Sequence, residues 1–459
     1  MKNQRQCVSE YLLKQIVSLL FVFSNCSLFC TAEIMSRSEK IDNPNESLFI
    51  PKWLNESKFE CLLAKTEPDY TKILQFTTVA AVPPGGNFTS IMIRVYLGLE
   101  MNNGTSKGKT YVVKTTLDIE KGGRAVNKMR YFQKEQQMYS TYLPEFEKIY
   151  CEAGRPLKLV PKCLEIGEME GNLYFIFEDL SAQNYECADR NKGVNMEHMR
   201  PSLRKLAELH AASVIYKDRN GPYPIDFEHG FAKIDNIEHS VKSFETKSPE
   251  YKAAMQTWGM DECYLRNYPT PEQYRKICLE SLEVDSKDFN VLTHGDFSAS
   301  NILYKYDEKG NVSEALLLDF QLGKWGSPAQ DLLMMIIISA EKDLRYKEFD
   351  NFVRIYWEYL IDCLTLLKYE KPFPQLREMQ SAIYKKNNTL YAVFAVMNHL
   401  PGHLLPSSQE SNLHNLQSKE EIGRKYRVRS YTNPTFVEII RELYPFCCNR
   451  GLFNFEDFE

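Results

Sequence analysis

Residues 293–303 read THGDFSASNIL and place His294, Asp296 and Asn301 between apolar flanks. Residues 316–323, LLLDFQLG, set a single carboxylate, Asp319, at the end of an apolar run with the look of a buried strand. Carboxylate and carboxamide oxygens are hard donors, able to accept a proton or to bind a hard cation. The turn-forming DEKG at 307–310 sends the chain back through EALLLD, so that Asp319 should end beside Asp296 and Asn301. The alternative is a polar loop and a strand-end carboxylate satisfied by their own neighbours. His294 suits a hydrogen-bonding prop for the loop better than a chemical role. Lys114 alternates with apolar neighbours in YVVKT, and Glu135 follows 21 residues later. Taken singly, the first reads as an exposed strand lysine and the second as a solvated helix residue. Gly85 and Gly86 in PPGGNFTS (83–90) fit a plain hairpin turn, or a loop whose backbone can approach an anion.

Periodicity supplies the elements that must carry these groups. Residues 91–99 and 110–117 are β-branched and aromatic runs around the turn-rich NNGTSKGK, which predicts a hairpin. A second pair of strands flanks GEMEGN and ends at 173–177, LYFIF. Between the pairs, Met129, Phe132, Gln136 and Tyr139 follow helical spacing. After about Asn184 the pattern turns helical. Leu203, Leu206, Ala207, His210, Ala211 and Val214 trace one face, and His210 there is expected to be a satisfied core histidine. Long helices are predicted around 328–366 and 377–400, and Asn433-Pro434 caps a last helix with Phe436, Ile439, Ile440 and Leu443 inward.

Composition excludes several classes. The 459 residues with 43% hydrophobic content can fill sizeable cores, and a net charge of -5 provides no basic field for nucleic acid. Twelve cysteines without a CxxC pair suggest reduced core residues rather than a disulfide or zinc framework. His399 and His403 are four apart, but Pro401 and Gly402 are expected to break the helix that would align them for a metal. At the N-terminus, Lys2, Arg5 and Lys14 precede an apolar stretch at 16–23, with Cys30 and Ala32 at a plausible cleavage site: a signal-like segment at 11–32. It falls short of the roughly 20 apolar residues of a membrane span, so no stable membrane anchor is expected. An upstream extension with the functional chain beginning at Met35, and a cytoplasmic location, is the preferred reading.

HGDFSASN, followed by DFQ 23 residues after Asp296, resembles the catalytic core of the small-molecule kinases with a protein-kinase-like fold, the group of choline kinases and aminoglycoside phosphotransferases. The wider series GGNFTSIMIRV, VVKTT, FQKEQQMYSTYLPEFEKI, FEDLSAQNY, LAELHAAS, LLLDFQLGKWGSPAQDLL and NPTFVEIIRELYP is similar, in order, to the insect ecdysteroid kinase-like (CHK kinase-like) family. Phe297-Ser298 stands where that family commonly has a Trp, and Gly86 where an acidic residue is frequent. The resemblance implies an α+β, bilobal protein-kinase-like fold: a small antiparallel-sheet N-lobe with one main helix (49–183) and a larger, mostly helical C-lobe (184–459), after an N-terminal extension (1–48). It implies ATP and Mg²⁺ as cofactors and a small-molecule hydroxyl acceptor, an ecdysteroid or related alcohol. Phosphoryl transfer needs an orienter for the attacking hydroxyl and cations against the phosphate oxygens. Asp296 would take the first role and Asn301 and Asp319 would hold the metal. Lys114, paired with Glu135, would reach the phosphates; Gly85, Gly86 and Asn87 would cover them, which leaves no room for a glycan at the Asn87 sequon. Glu178 and Leu180 would form the hinge that meets adenine through its backbone, with structural side chains, and Asp331 would hold the catalytic loop. The substrate would lie between that loop and the helices near 225–285 and 370–405. Two rivals remain: a non-catalytic nucleotide- or steroid-binding protein of the same fold, and a broad-range detoxifying phosphotransferase. Loss of Lys114, Asp296 or Asp319 would favour the first, and all three are present.

Overall fold

A computed structural model describes residues 49–82, 90–116, 130–406 and 417–459. The signal-like segment and the loop calls at Gly85, Gly86 and Asn87 lie outside the described residues. The first helix, α1 (Glu56–Thr66), precedes β1 (Tyr70–Ala80), β2 (Ser90–Met101) and β3 (Ser106–Thr116). The helix α2 (Tyr131–Gln137) passes through a π-helical turn (Met138–Tyr142) into α3 (Leu143–Glu152). The hairpin β4 (Cys163–Met169) and β5 (Asn172–Glu178) closes the lobe. Its turn residues Glu170 and Gly171 both have positive φ, 53° and 77°, the twist-matched geometry of a two-residue hairpin loop.

The five strands form one antiparallel sheet in the order β1-β2-β3-β5-β4. Strand side chains alternate between faces, and here each face has its own partner. Ile93, Val95, Leu97, Leu99, Tyr111, Val113 and Ile176 point outward into a small core closed by Trp53 and by Phe59, Leu62 and Leu63 of α1. The helix α1 and strand β1, which the pattern reading did not single out, complete that core. The other face carries Phe175 and Phe177 against Phe132 and Tyr139, and joins the large core of the molecule. Lys114 lies one residue beyond outward-facing Val113, so alternation turns it to this inner face.

The larger lobe is built on α4 (Met196–Asn220), capped by Asn195, whose side chain accepts from Glu197 and His198 N–H. Leu203, Leu206, Ala207, His210 and Ala211 are buried along it, as the periodicity predicts. A three-stranded sheet, β6 (Tyr185–Cys187), β8 (Ile302–Tyr306) and β9 (Val312–Leu317), and a short pair, β7 (Val291–Leu292) with β10 (Trp325–Gly326), frame the segment 293–301. The helix α5 (Ile237–Met255) borders the cleft.

Three helical expectations change. The 328–366 stretch is not continuous: Ala329–Met334 widens into a π turn (Met335–Ser339), and Ala340 turns extended to bridge Val194. Val194 N–H donates to Ser339 O at 2.7 Å and Glu341 N–H to Val194 O at 3.0 Å, backbone bonds that compensate for the break. The 377–400 stretch divides likewise into Leu376–Ala382 and a run that starts at Thr389. Finally, Pro401 and Gly402 do not break the helix. A π segment (Phe394–His399) leads directly into Leu400–His403, where Pro401 occupies the first turn and its missing N–H is not needed. His399 and His403 therefore share a face, with ring centroids 5.7 Å apart. Among the described residues, no helix is long and apolar enough to cross a membrane.

Candidate active site

The β8–β9 hairpin fixes the spacing of the polar groups. Its turn is held by Asp307, whose carboxylate accepts from Lys309 and Asn311 N–H, both at 2.8 Å. Register then pairs Ile302 with Leu317, and Leu318 N–H donates to Asn301 O at 2.9 Å, so Asn301 and Asp319 leave the hairpin side by side. Asp319 has φ of 66°, a left-handed conformation uncommon outside glycine and concentrated where surroundings enforce it. Asn301 Nδ2 donates to Asp296 Oδ2 at 3.0 Å and to Asp296 O at 2.9 Å, closing the loop on itself.

Asp331 fastens this loop from below. Fully buried, it accepts from His294 N–H at 2.7 Å, Gly295 N–H at 2.8 Å and the His210 ring at 3.1 Å. Tyr356 holds the other nitrogen of His210 at 2.8 Å, so His210 is a satisfied core residue that orients a positioning carboxylate. His294 contacts Leu318 O at 2.9 Å through its own ring, the propping role expected of it. Gly295 cannot be replaced at this crossing: its φ is 83°, and a Cβ would stand 2.2 Å from Leu322 O.

From the opposite lobe, Lys114 Nζ lies 2.8 Å from Asp319 Oδ1 and 2.7 Å from Glu135 Oε2. Burial opposes its charge, but the Asp319 and Glu135 carboxylates outweigh that and hold the ammonium protonated well beyond its usual range. Burial moves the Glu135 carboxyl the other way, upward. The side chain before it, Lys134, is also buried and donates to His229 O at 2.6 Å and Gly323 O at 2.9 Å; burial lowers its pKa to about 7. Burial, with the charge of Asp319, pushes Asp296 up to about 7.

Lys114, Glu135, Asp296, Asn301 and Asp319 line one cavity of about 1110 Å³. One arm runs under the sheet past Val112, Phe177, Glu178 and Leu180; the other runs past Phe231, Phe244, Tyr274 and Phe394. The Glu178 side chain turns aside to accept from Lys162 N–H at 2.5 Å and from Lys158. The structure thus brings together Lys114, Glu135, Asp296, Asn301 and Asp319 and sets Glu178 and Leu180 at the rim of the same cavity. The sequence reading missed Gln321, whose amide approaches Asp319 Oδ2 at 3.3 Å, and His399, whose Nδ1 stands 3.9 Å from Asp296 Oδ1. The second was hidden by the helix break assumed at Pro401.

The profile of the ecdysteroid kinase-like family matches residues 84–369, a span that contains all five converging residues. The chain belongs to the ecdysteroid kinase-like family. Its two-lobed α+β architecture is the protein-kinase-like fold, and membership of this family makes it kinase-like toward small molecules. No curated protein matches the sequence. Among solved structures, the GDP complex of wild-type aminoglycoside 2'-phosphotransferase-IIIa is 14% identical, covering 72% of this chain and 99% of that one, at a TM-score of 0.34. A candidate fructosamine-3-kinase from Haemophilus somnus is 11% identical, over 71% and 95% of the two chains, at a TM-score of 0.32.

Proposed function

We propose that this ecdysteroid kinase-like protein transfers the terminal phosphoryl group of ATP to a hydroxyl of a small lipophilic alcohol, an ecdysteroid or a related molecule. The observation that carries the reading is the position of Asp296. It stands where the arm beneath the sheet meets the apolar arm, in the same cavity as the Lys114, Glu135 and Asp319 cluster. A carboxylate with a pKa near 7 is matched to proton transfer at neutral pH. Asp296 accepts the acceptor's proton as its oxygen bonds to the terminal phosphorus and the bond to the nucleoside diphosphate breaks. Asn301, its Nδ2 already given to Asp296, keeps a carboxamide oxygen that with the Asp319 carboxylate makes a hard donor pair fitting Mg²⁺. Bound there, the metal would neutralise phosphate oxygens. Lys114, oriented by Glu135, adds a fixed cation on the nucleotide side. Leu180 and the strand end at Glu178 border the space for the base. The experiment is a screen of hydroxylated steroids, glycosides and choline-like alcohols with ATP and Mg²⁺, read by mass gain of one phosphate. Phosphorylation of lipophilic alcohols supports the reading. Nucleotide binding without transfer to any of them favours a binding protein of the same fold.

A further inference from the structure

Beyond Asp296 the cavity is mostly apolar, walled by Phe231, Phe244, Tyr274, Cys278, Leu390 and Phe394. Several polar side chains interrupt that wall, among them Asn236, His239, Ser240 and Ser243, and one of them is a lysine. Lys247, on α5, faces the cavity and donates to Asn398 Oδ1 at 2.9 Å. Asn398 precedes His399 on the π-helical segment, so the lysine and the group beside Asp296 are joined through one short piece of backbone. Among the described residues no carboxylate pairs with Lys247; the acid one turn along α5, Glu250, is taken by Arg427 at 3.2 Å. His403, 6% exposed, also lines the cavity, and its Nε2 is buried without a hydrogen-bond partner among the described residues. An amine held by one neutral amide in a largely apolar cavity is costly unless a ligand satisfies its remaining N–H groups. Burial accordingly lowers the Lys247 pKa to about 8.

We propose that Lys247, set by Asn398, determines acceptor specificity by donating to an oxygen, keto or carboxylate, carried by the acceptor at the end remote from its reacting hydroxyl. The proposal rests on the reading of this arm as the acceptor site and deepens it. The acceptor is then an alcohol with an apolar body and two polar ends, one directed to Asp296 and the other to Lys247. A simple hydrophobic alcohol leaves the lysine with Asn398 as its one partner and binds less well, because unmet buried donors discriminate more strongly than lost apolar contact.

The test is equilibrium binding by calorimetry, which does not require turnover. The probes are three chains of equal length: an ω-hydroxy fatty acid, the corresponding hydroxy methyl ketone, and the methyl-terminated alcohol. Wild type should bind at least one oxygen-bearing probe on the order of 10-fold more tightly than the plain alcohol. Preference for the acid alone identifies an anionic acceptor, and preference for both a neutral oxygen. Lys247→Met should erase the preference and Lys247→Arg should retain part of it, with ATP affinity and melting temperature near wild type in both. Equal binding of all three probes by wild type, or a preference surviving Lys247→Met, overturns the proposal. A preference that holds while no probe is phosphorylated counts against the kinase reading and leaves this one standing.

Discussion

Asp296 and Asp319 differ in their partners and in the roles proposed for them. Asp296 is tied to Asn301 and faces the acceptor arm, whereas Asp319 is tied to Lys114. Asp296→Asn keeps the shape and removes the proposed proton acceptor, so turnover should fall about 10²- to 10⁴-fold, roughly 3 to 5.5 kcal/mol of barrier. ATP affinity, measured by calorimetry on the same protein, should stay near wild type. Abolished ATP binding in a folded variant would place Asp296 on the wrong side of the cavity. Asp319→Ala removes the proposed metal ligand, the carboxylate that faces Lys114 at 2.8 Å. Activity should collapse and excess Mg²⁺ should restore little; wild-type turnover would refute the assignment. Both aspartates were legible as residues because each sits in an apolar frame that names its element. His399 was not, since its approach to Asp296 depends on a π-helical segment that absorbs Pro401, which pattern reading takes for a terminator.

At the level of elements, α2 is the piece whose placement decides the site. Glu135 binds Lys114 from it, and Lys134 fixes it to His229 O and Gly323 O. Burial leaves Lys134 with a folded pKa of about 7 against an ordinary value of 10.5. Between those values the unfolded chain binds more protons than the folded one, so this group's contribution to stability increases as pH rises from about 7 toward 10.5 and is flat below. Urea unfolding at a series of pH values should therefore show a steeper rise for wild type than for Lys134→Met. Equal slopes would mean that the amine keeps its proton in the folded state. The α2 pattern was visible from Phe132 and Tyr139, and the hairpins from their turn residues. The break at Ala340 was not, because MMIIIS reads as uninterrupted helix until its backbone pairing with Val194 is known.

Over the whole molecule, two lobes and the motif order were readable because the recurring strand and helix periods change near Asn184. The segments near 225–285 and 370–405 that wall the proposed acceptor site were anticipated, but not the contacts within it: Lys247, Asn398 and Asp296 are far apart in sequence, and only tertiary packing joins them. The family match begins at 84, so a chain starting at Met35 should unfold cooperatively and keep the nucleotide affinity of the full chain. Loss of the cooperative transition, followed by circular dichroism, would show that residues 1–34 contribute to the fold. The two hydrophobic cores have a mechanical consequence. The outer face of the sheet is buried against α1 and the Trp53-Leu54 segment before it, while α2 and α3 are packed into the large core, where Tyr150 also donates to Glu208 O of α4 at 3.0 Å. With Lys134 as a mooring, α2 belongs to the floor of the cleft and the sheet is its roof. Lifting that roof would have to part Lys114 from Glu135 and Asp319 together with Phe175 and Phe177 from Phe132 and Tyr139, so the ion pairs and the ring contacts would act as one clasp between sheet and floor.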